Sequence, residues 1–373
     1  MDFNLTDEQQ MLREGAERFL QETYTVEHRR ATTGLASRCD DGTWQSFADL
    51  GWLALTIPES EGGLGAGLLE AALLTEELGR RMVLEPFATT AVLGARLIER
   101  SADAGQRSLL LGKIAAGALR VALAALEPGR RYDLSSPGTL ARRTATGYAL
   151  SGSKLLALDG PAAHSFVVSA RIEGDAGCGL FIVDGGMDGV TRRSYPLIDG
   201  RCAADVEFAA VQLPPSALLC SGAAATDALD EAIDRYMVCV VADALGAMEA
   251  VMEQTAEHLR NRRQFGQPLA AFQALQHRVA EMFVEVQETR SALYHALAHI
   301  EARPSQRNAA VSSAMVVASE AGRIVGGQGI QLHGGVGMTD EYQVGHYFKR
   351  LLVFEKAWGD VDYHLDRIAS TYR

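Results

Sequence analysis

One stretch constrains this chain more than any other: residues 258 to 282, HLRNRRQFGQPLAAFQALQHRVAEM. Gly266 and Pro268 stop a helix, because glycine favours the left-handed cap and proline cannot continue the hydrogen-bond ladder. Beyond them Phe272, Leu275, Val279, Met282 and Val286 alternate three and four apart, which gives the next segment an apolar helical seam. A basic corner therefore sits between two packed helices. Its Arg260, Arg262 and Arg263 admit two readings. They complement the negative end of the first helix, or they bind a phosphate.

Around this corner the pattern has three parts. Thr6 with Gln9 forms a capping-box signature ahead of Met11, Leu12, Phe19 and Leu20, so a helix starts near residue 7. A second helical stretch, Trp44 to Leu53, runs into a loop forced by Pro58 and the glycines at 62, 63, 65 and 67. Leu68 to Arg100 resumes the helical period with interruptions at Gly79 and Pro86, and a short helix follows near Arg107 to Ala116. From 119 to 219 the period changes. Arg120–Ala125, Leu140–Thr146, Tyr148–Leu158, Ser165–Ala170, Gly179–Val183 and Ala204–Ala209 are short apolar or alternating runs between Gly, Pro and Asp. They predict an antiparallel sheet domain, a barrel or a sandwich. From Ala223 onward, segments at 225–260, 270–302, 306–331 and 360–371 are helical again and suggest a four-helix bundle whose outer apolar faces make subunit contacts. The fold class is α+β: an N-terminal helical domain (1–118), a central β-domain (119–219) and a C-terminal helical bundle (220–373).

Composition excludes several classes. A net charge of -12 argues against nucleic acid, which is bound by Lys and Arg. No apolar run approaches the roughly twenty residues of a membrane span, and MDFNLTDEQQ lacks a signal pattern, so a cytoplasmic address follows. The five cysteines are scattered without CxxC spacing, which predicts buried free thiols and assigns no metal site. The run GGQGIQLHGGVG at 326–337 imitates a dinucleotide fingerprint, but no strand leads into it. Its glycines instead allow close backbone approach to a ligand or another helix.

The pattern RxxFGxPxxxFQxxQH, starting at Arg262, is followed by Gln331 and HGGVGMTDEY at 333–342. With these motifs the chain resembles the acyl-CoA dehydrogenase family of flavoproteins from end to end. The resemblance implies that Arg262, Gln264, Phe265, Gln273, Gln331, Gly334 and Gly335 hold the ADP half of an FAD that lies mainly in a neighbouring subunit. It implies an acyl-CoA substrate, an electron-transfer flavoprotein as acceptor, and a homo-oligomer or a heterotetramer with a larger subunit of the family. In that family a carboxylate takes the α proton while the β hydrogen leaves as hydride to the flavin.

Other positions depart from the family. The place of the usual base, counted from Gly334, falls on Trp358, and the alternative place, counted back from Phe265, falls on Tyr236. Glu355, Asp360, Asp234 and Asp243 are the nearby acids, with Glu355 and Asp360 the candidates for a relocated base. In the β-domain a Thr-Glu-Pro motif is Leu126-Glu127-Pro128 and no Gly-Ser-Asp follows. The family's Asn-Gly-x-Lys-x-Trp-x-Thr becomes Ser151-Gly152-Ser153-Lys154-Leu155-Leu156-Ala157-Leu158, so the aromatic and the threonine beside the flavin ring are leucines. What is lent to a neighbour is kept and what serves the chain's own reaction centre is lost. The expectation is a small subunit without a base that completes a partner's FAD site, similar to those of two-component family members acting on dicarboxylic (pimeloyl-CoA) or steroid-derived acyl-CoA. A self-sufficient enzyme with a relocated carboxylate and a flavin-free helical scaffold remain as alternatives.

Overall fold

The computed structural model describes residues 4–175 and 177–372. Helices α1 (Asp7–Thr23), α2 (Val26–Thr32), α3 (Asp41–Asp49) and α4 (Leu68–Arg80) come first, then a π-helical segment (Ala88–Gly94) that runs into α5 (Ala95–Ile98), and α6 (Ala104–Ala115). Eight strands follow: β1 (Val121–Ala124), β2 (Leu140–Thr144), β3 (Gly147–Leu158), β4 (Ser165–Ile172), β5 (Cys178–Asp184), β6 (Val190–Pro196), β7 (Cys202–Leu213) and β8 (Leu218–Ser221). The chain ends in α7 (Ala223–Asn261), α8 (Gln273–His299), α9 (Pro304–His333), α10 (Gln343–Phe354) and α11 (Val361–Ser370). Helix, sheet, helix is the order expected from the change of period. All five cysteines are free, four of them buried and Cys220 partly so.

Two compact units interleave along the sequence: residues 1–29, 72–83 and 237–373 form one, and residues 30–71 and 84–236 the other. In the second unit the strands make one sheet in the order β6-β7-β3-β2-β4-β5-β8, with β1 also on β4. It is mostly antiparallel, but β4 takes β1 and β2 as parallel neighbours along successive parts of one edge. Its core is the inward row of the strands, among them Tyr148, Leu150, Phe166, Val168, Phe181, Val206 and Phe208. Strand β6, VTRRSYP, has no apolar alternation to reveal it, and pairs with β7 over its whole length.

In the first unit the Thr6–Gln9 capping box is present in both directions at the start of α1. Helix α9 packs against α8, α10 and α11. Gly79 does not interrupt α4; the helix runs through it to Arg80. A Cβ at Gly79 would lie 2.1 Å from the Asp243 carbonyl oxygen, and one at Gly246 would lie 1.9 Å from that of Glu76. The two helices therefore cross backbone to backbone, which only glycine permits. Buried charges surround the crossing. Glu249 accepts from Arg80 and Arg290, Glu76 accepts from Arg290 at 3.1 Å, and Arg350 grips Asp243 at 2.6 and 2.9 Å. Removing one partner of such a set leaves a buried charge uncompensated, a loss of about 3–5 kcal/mol. Helix α10, which supplies Arg350, falls outside the helical segments read from sequence.

Candidate functional site

Helix α7 ends where the sequence places its stop. The Arg262 amide still donates to the His258 carbonyl at 2.8 Å, and then Arg263–Gln264 pairs with Gln267–Pro268 as a two-residue ribbon turned by Gly266, whose φ is 81°. Phe265 sits at the tip with φ 53° and is 88% exposed, its ring edge-on to Phe272 at 6.0 Å. Arg262, Gln264, Gln273 and Gln331 are all exposed. Gln264 bonds only its neighbour's carbonyl, and the Arg262 guanidinium makes no hydrogen bond or ion pair with a described residue.

The glycine run divides in two. Gly326 and Gly329 lie inside α9, where a Cβ would strike Phe348 at 2.7 Å and Val251 at 2.5 Å, so they serve helix packing. Gly334 ends α9 with φ 64°, and neither it nor Gly335 has any atom within 4 Å of where a Cβ would be. The helix end and the glycine turn, far apart in sequence, meet through a pair of histidines. The His258 and His333 rings lie 4.4 Å apart, and Tyr342 packs at a tilt against His333 at 4.9 Å. Burial first, then the neighbouring positive groups, hold His258 below the usual imidazole range, and burial does the same for His333. These three residues went unread in the sequence; the aromatic types at both helix ends were the only signal. An unengaged guanidinium, exposed amides and an open glycine turn at one end of the unit make up a donor set that suits a diphosphate.

The Trp358 turn is built in the opposite way. Helix α10 stops at Phe354 and α11 starts after Asp360, whose carboxylate caps it by accepting from the Tyr363 amide at 3.0 Å. Trp358 has φ 58° and is buried at 8% exposure. Gly359 has φ 137°, and a Cβ there would lie 2.4 Å from the Tyr363 ring and 2.6 Å from His364 Nε2. Glu355 is 2% exposed and accepts from Arg323 at 2.5 Å and from Lys356 at 2.6 Å. The Arg323 hydrogen bond holds its carboxyl below the usual range, the reverse of what a base requires. Of the other acids, Asp243 is taken by Arg350, while Asp234 and the neighbouring Tyr236 are buried. Trp358 itself has no group that accepts a proton.

In the second unit the two altered motifs are turned on each other. Glu127 is desolvated, yet it accepts from Lys154 Nζ at 2.7 Å, the Thr139 hydroxyl at 2.7 Å and the Thr139 amide at 2.9 Å, which together bring it to about 2. Lys154 is wholly buried; desolvation brings it down to about 8 against the pull of Glu127. Between Lys154 and Ala157 the β3–β7 register slips, and Leu156 takes φ 50°. Its amide donates to Asp205 at 3.1 Å, and Leu155 donates to the Leu126 carbonyl at 2.9 Å. The backbone donors at the positions of the lost aromatic and its neighbour are thus consumed within the chain.

Two family models match the chain. The acyl-CoA dehydrogenase N-terminal domain covers residues 6–118 and the acyl-CoA dehydrogenase C-terminal domain covers residues 226–372. Isovaleryl-CoA dehydrogenase of Arabidopsis thaliana is 26% identical over 94% of this chain and 87% of its own length. Among solved structures, the ChsE4-ChsE5 complex of Mycobacterium tuberculosis superposes with a TM-score of 0.90 at 27% identity, covering 100% of this chain and 99% of that one. A steroid ACAD, Tcur3481-Tcur3483, does so with a TM-score of 0.88 at 29% identity over 98% of both. Among the described residues no helix is long and apolar enough to cross a membrane.

Proposed function

The chain belongs to the acyl-CoA dehydrogenase family, and on that premise we propose that it is the subunit without a base in a two-component acyl-CoA dehydrogenase, completing the FAD site of a larger catalytic partner. The observation that carries this reading is a contrast within one unit. The Arg262 guanidinium and the Gly334-Gly335 turn are left open on the surface, while the base position holds a buried tryptophan and its nearest acids are engaged by cations or a helix end. When bound, FAD supplies the acceptor for the hydride that leaves the acyl β carbon. Arg262 would donate to its diphosphate, with Gln264, Gln273 and Gln331 as amide partners, Phe265 as an apolar lid and the glycine turn admitting close approach. None of these groups takes the α proton; the partner's carboxylate does that. The similar structures titled as two-protein assemblies support a two-component reading, and the one titled as a steroid ACAD favours a steroid-type acyl-CoA as substrate class.

The test is to purify the chain alone and together with a co-expressed larger relative, record flavin absorbance, and add a panel of acyl-CoAs with electron-transfer flavoprotein as acceptor. Flavin and turnover only in the pair support the proposal. Bleaching of bound FAD by a thioester in the chain alone defeats it and returns Glu355 and Asp360 as base candidates, to be separated by comparing Glu355→Gln with Asp360→Asn. Absence of flavin from both preparations leaves the helical scaffold.

A further inference from the structure

Two histidines stand one turn apart at the end of α8. In the run HALAH, His295 and His299 are four residues apart, a spacing that puts both side chains on one face of a helix. Their rings lie 4.4 Å apart with the planes at 42°. His295 is exposed and His299 partly so; neither is a core histidine. The ordinary role of histidine in a last turn is to set an imidazolium against the negative helix end. Burial, then the His299 ring, hold His295 below the usual imidazole range, so near pH 7 it is neutral and does not fill that role.

A backbone contact fixes the chemistry of the second ring. His299 Nδ1 lies 2.8 Å from the His295 carbonyl oxygen. A carbonyl only accepts, so Nδ1 carries the hydrogen and Nε2 keeps its lone pair. Metal-binding histidines are set up in this way, with one ring N–H held by a carbonyl and the other nitrogen aimed as a donor. Two nitrogens on one tetrahedral ion stand about 3.3 Å apart, because each bond is about 2.0–2.1 Å long. From rings already this close, rotation of the exposed His295 side chain reaches that separation without moving the helix.

We infer that His295 and His299 form a two-imidazole site for a borderline divalent transition-metal ion such as zinc, which clips the last turn of α8 ahead of its connection to α9. Neutral nitrogen donors select that class over magnesium or calcium, which take oxygen. Among the described residues no group of three His, Cys, Asp or Glu could hold a metal, so the ion has two protein ligands and keeps water in its other positions. Between the histidines lie Ala296, Leu297 and Ala298, with no glutamate to act as a base. The site is therefore a structural clip and not the hydrolytic centre that two histidines at this spacing form when a glutamate stands between them. The ion's charge falls at the negative end of α8, where a cation is favoured. Helix α8 is 27 residues long, about 40 Å, so the pair lies far from Gln273 and the inference is independent of the cofactor proposal.

The test uses the untagged, metal-stripped chain, titrated with zinc chloride and separately with magnesium chloride by calorimetry. About one equivalent of zinc is expected to bind, His295→Ala and His299→Ala each weakening it at least about tenfold, with no heat from magnesium. In the unaltered chain zinc is also expected to slow amide hydrogen exchange over residues 296–303, a readout that needs no variant to fold. The inference is overturned by any of four results. These are no zinc binding, binding that neither histidine variant weakens, loss of binding in His258→Ala instead, and exchange at the end of α8 that zinc leaves unchanged. Magnesium bound as tightly as zinc overturns the assignment of metal class.

Discussion

The Arg262–Phe265 corner and the Trp358 turn lie in the same helical unit, each at the end of a helix and each built on residues with positive φ. At the corner the polar groups face water and the glycines border open space. At the turn the acids are spent on neighbours, the buried Trp358 indole N–H has no partner among the described residues, and the glycine is crowded by two rings. Folding satisfies buried polar groups and has no reason to satisfy exposed ones. Donors exposed around an open glycine turn are available to the ligand proposed for them, whereas the acids near Trp358 already have structural employment.

The largest test of that contrast is Gly359→Ala, which meets both an unfavourable φ and two side chains; it is expected to destabilise the chain by about 3 kcal/mol in urea unfolding. Gly335→Ala, with free space around it, is expected to stay within about 0.5 kcal/mol in the same measurement. Equal losses would erase the distinction between the two glycines. His364 gives the second test. Burial, then the Arg367 charge, with Asp360 opposing, bring it from 6.5 down to about 4. Its folded value lies below its unfolded one, so its stabilisation is complete above pH 6.5 and is lost as pH falls toward 4, by about 3 kcal/mol. His364→Gln flattens that part of the pH profile; an unchanged slope would remove His364 as its cause. Third, Arg262→Ala is expected to weaken FAD retention in the assembled pair by about 1.5–3 kcal/mol while leaving unfolding unchanged. Unaltered retention would return Arg262 to a helix-end role. Last, Glu355→Gln is expected to lower stability by about 1 kcal/mol, since its partner Arg323 is largely exposed, without altering turnover of the pair. Loss of turnover would promote Glu355 to a base.

Much of the fold could be read from one sequence because local rules agreed with the tertiary outcome. The Thr6–Gln9 box, the change of period at residue 119 and the Gly266–Pro268 stop all reappear in the structure. What was missed depends on distant partners. Gly79 reads as a break, and only the Asp243 carbonyl against it explains a glycine inside a continuous helix. Strand β6 carries arginines where an apolar alternation would have announced it. At the candidate site the exposed motif residues were legible by type and spacing. The roles of Glu355 and Asp360 were not, because a carboxylate's availability is set by Arg323, 32 residues away, or by which amide starts the next helix.

Phe265 has a consequence for how such a chain must be made. A ring held out on a ribbon tip, 88% exposed, is apolar area that a docked surface would remove from water. On the proposed reading, the lone polypeptide synthesised in excess would expose that ring at the spot meant for its companion, and balanced production of both components would then serve solubility as much as activity.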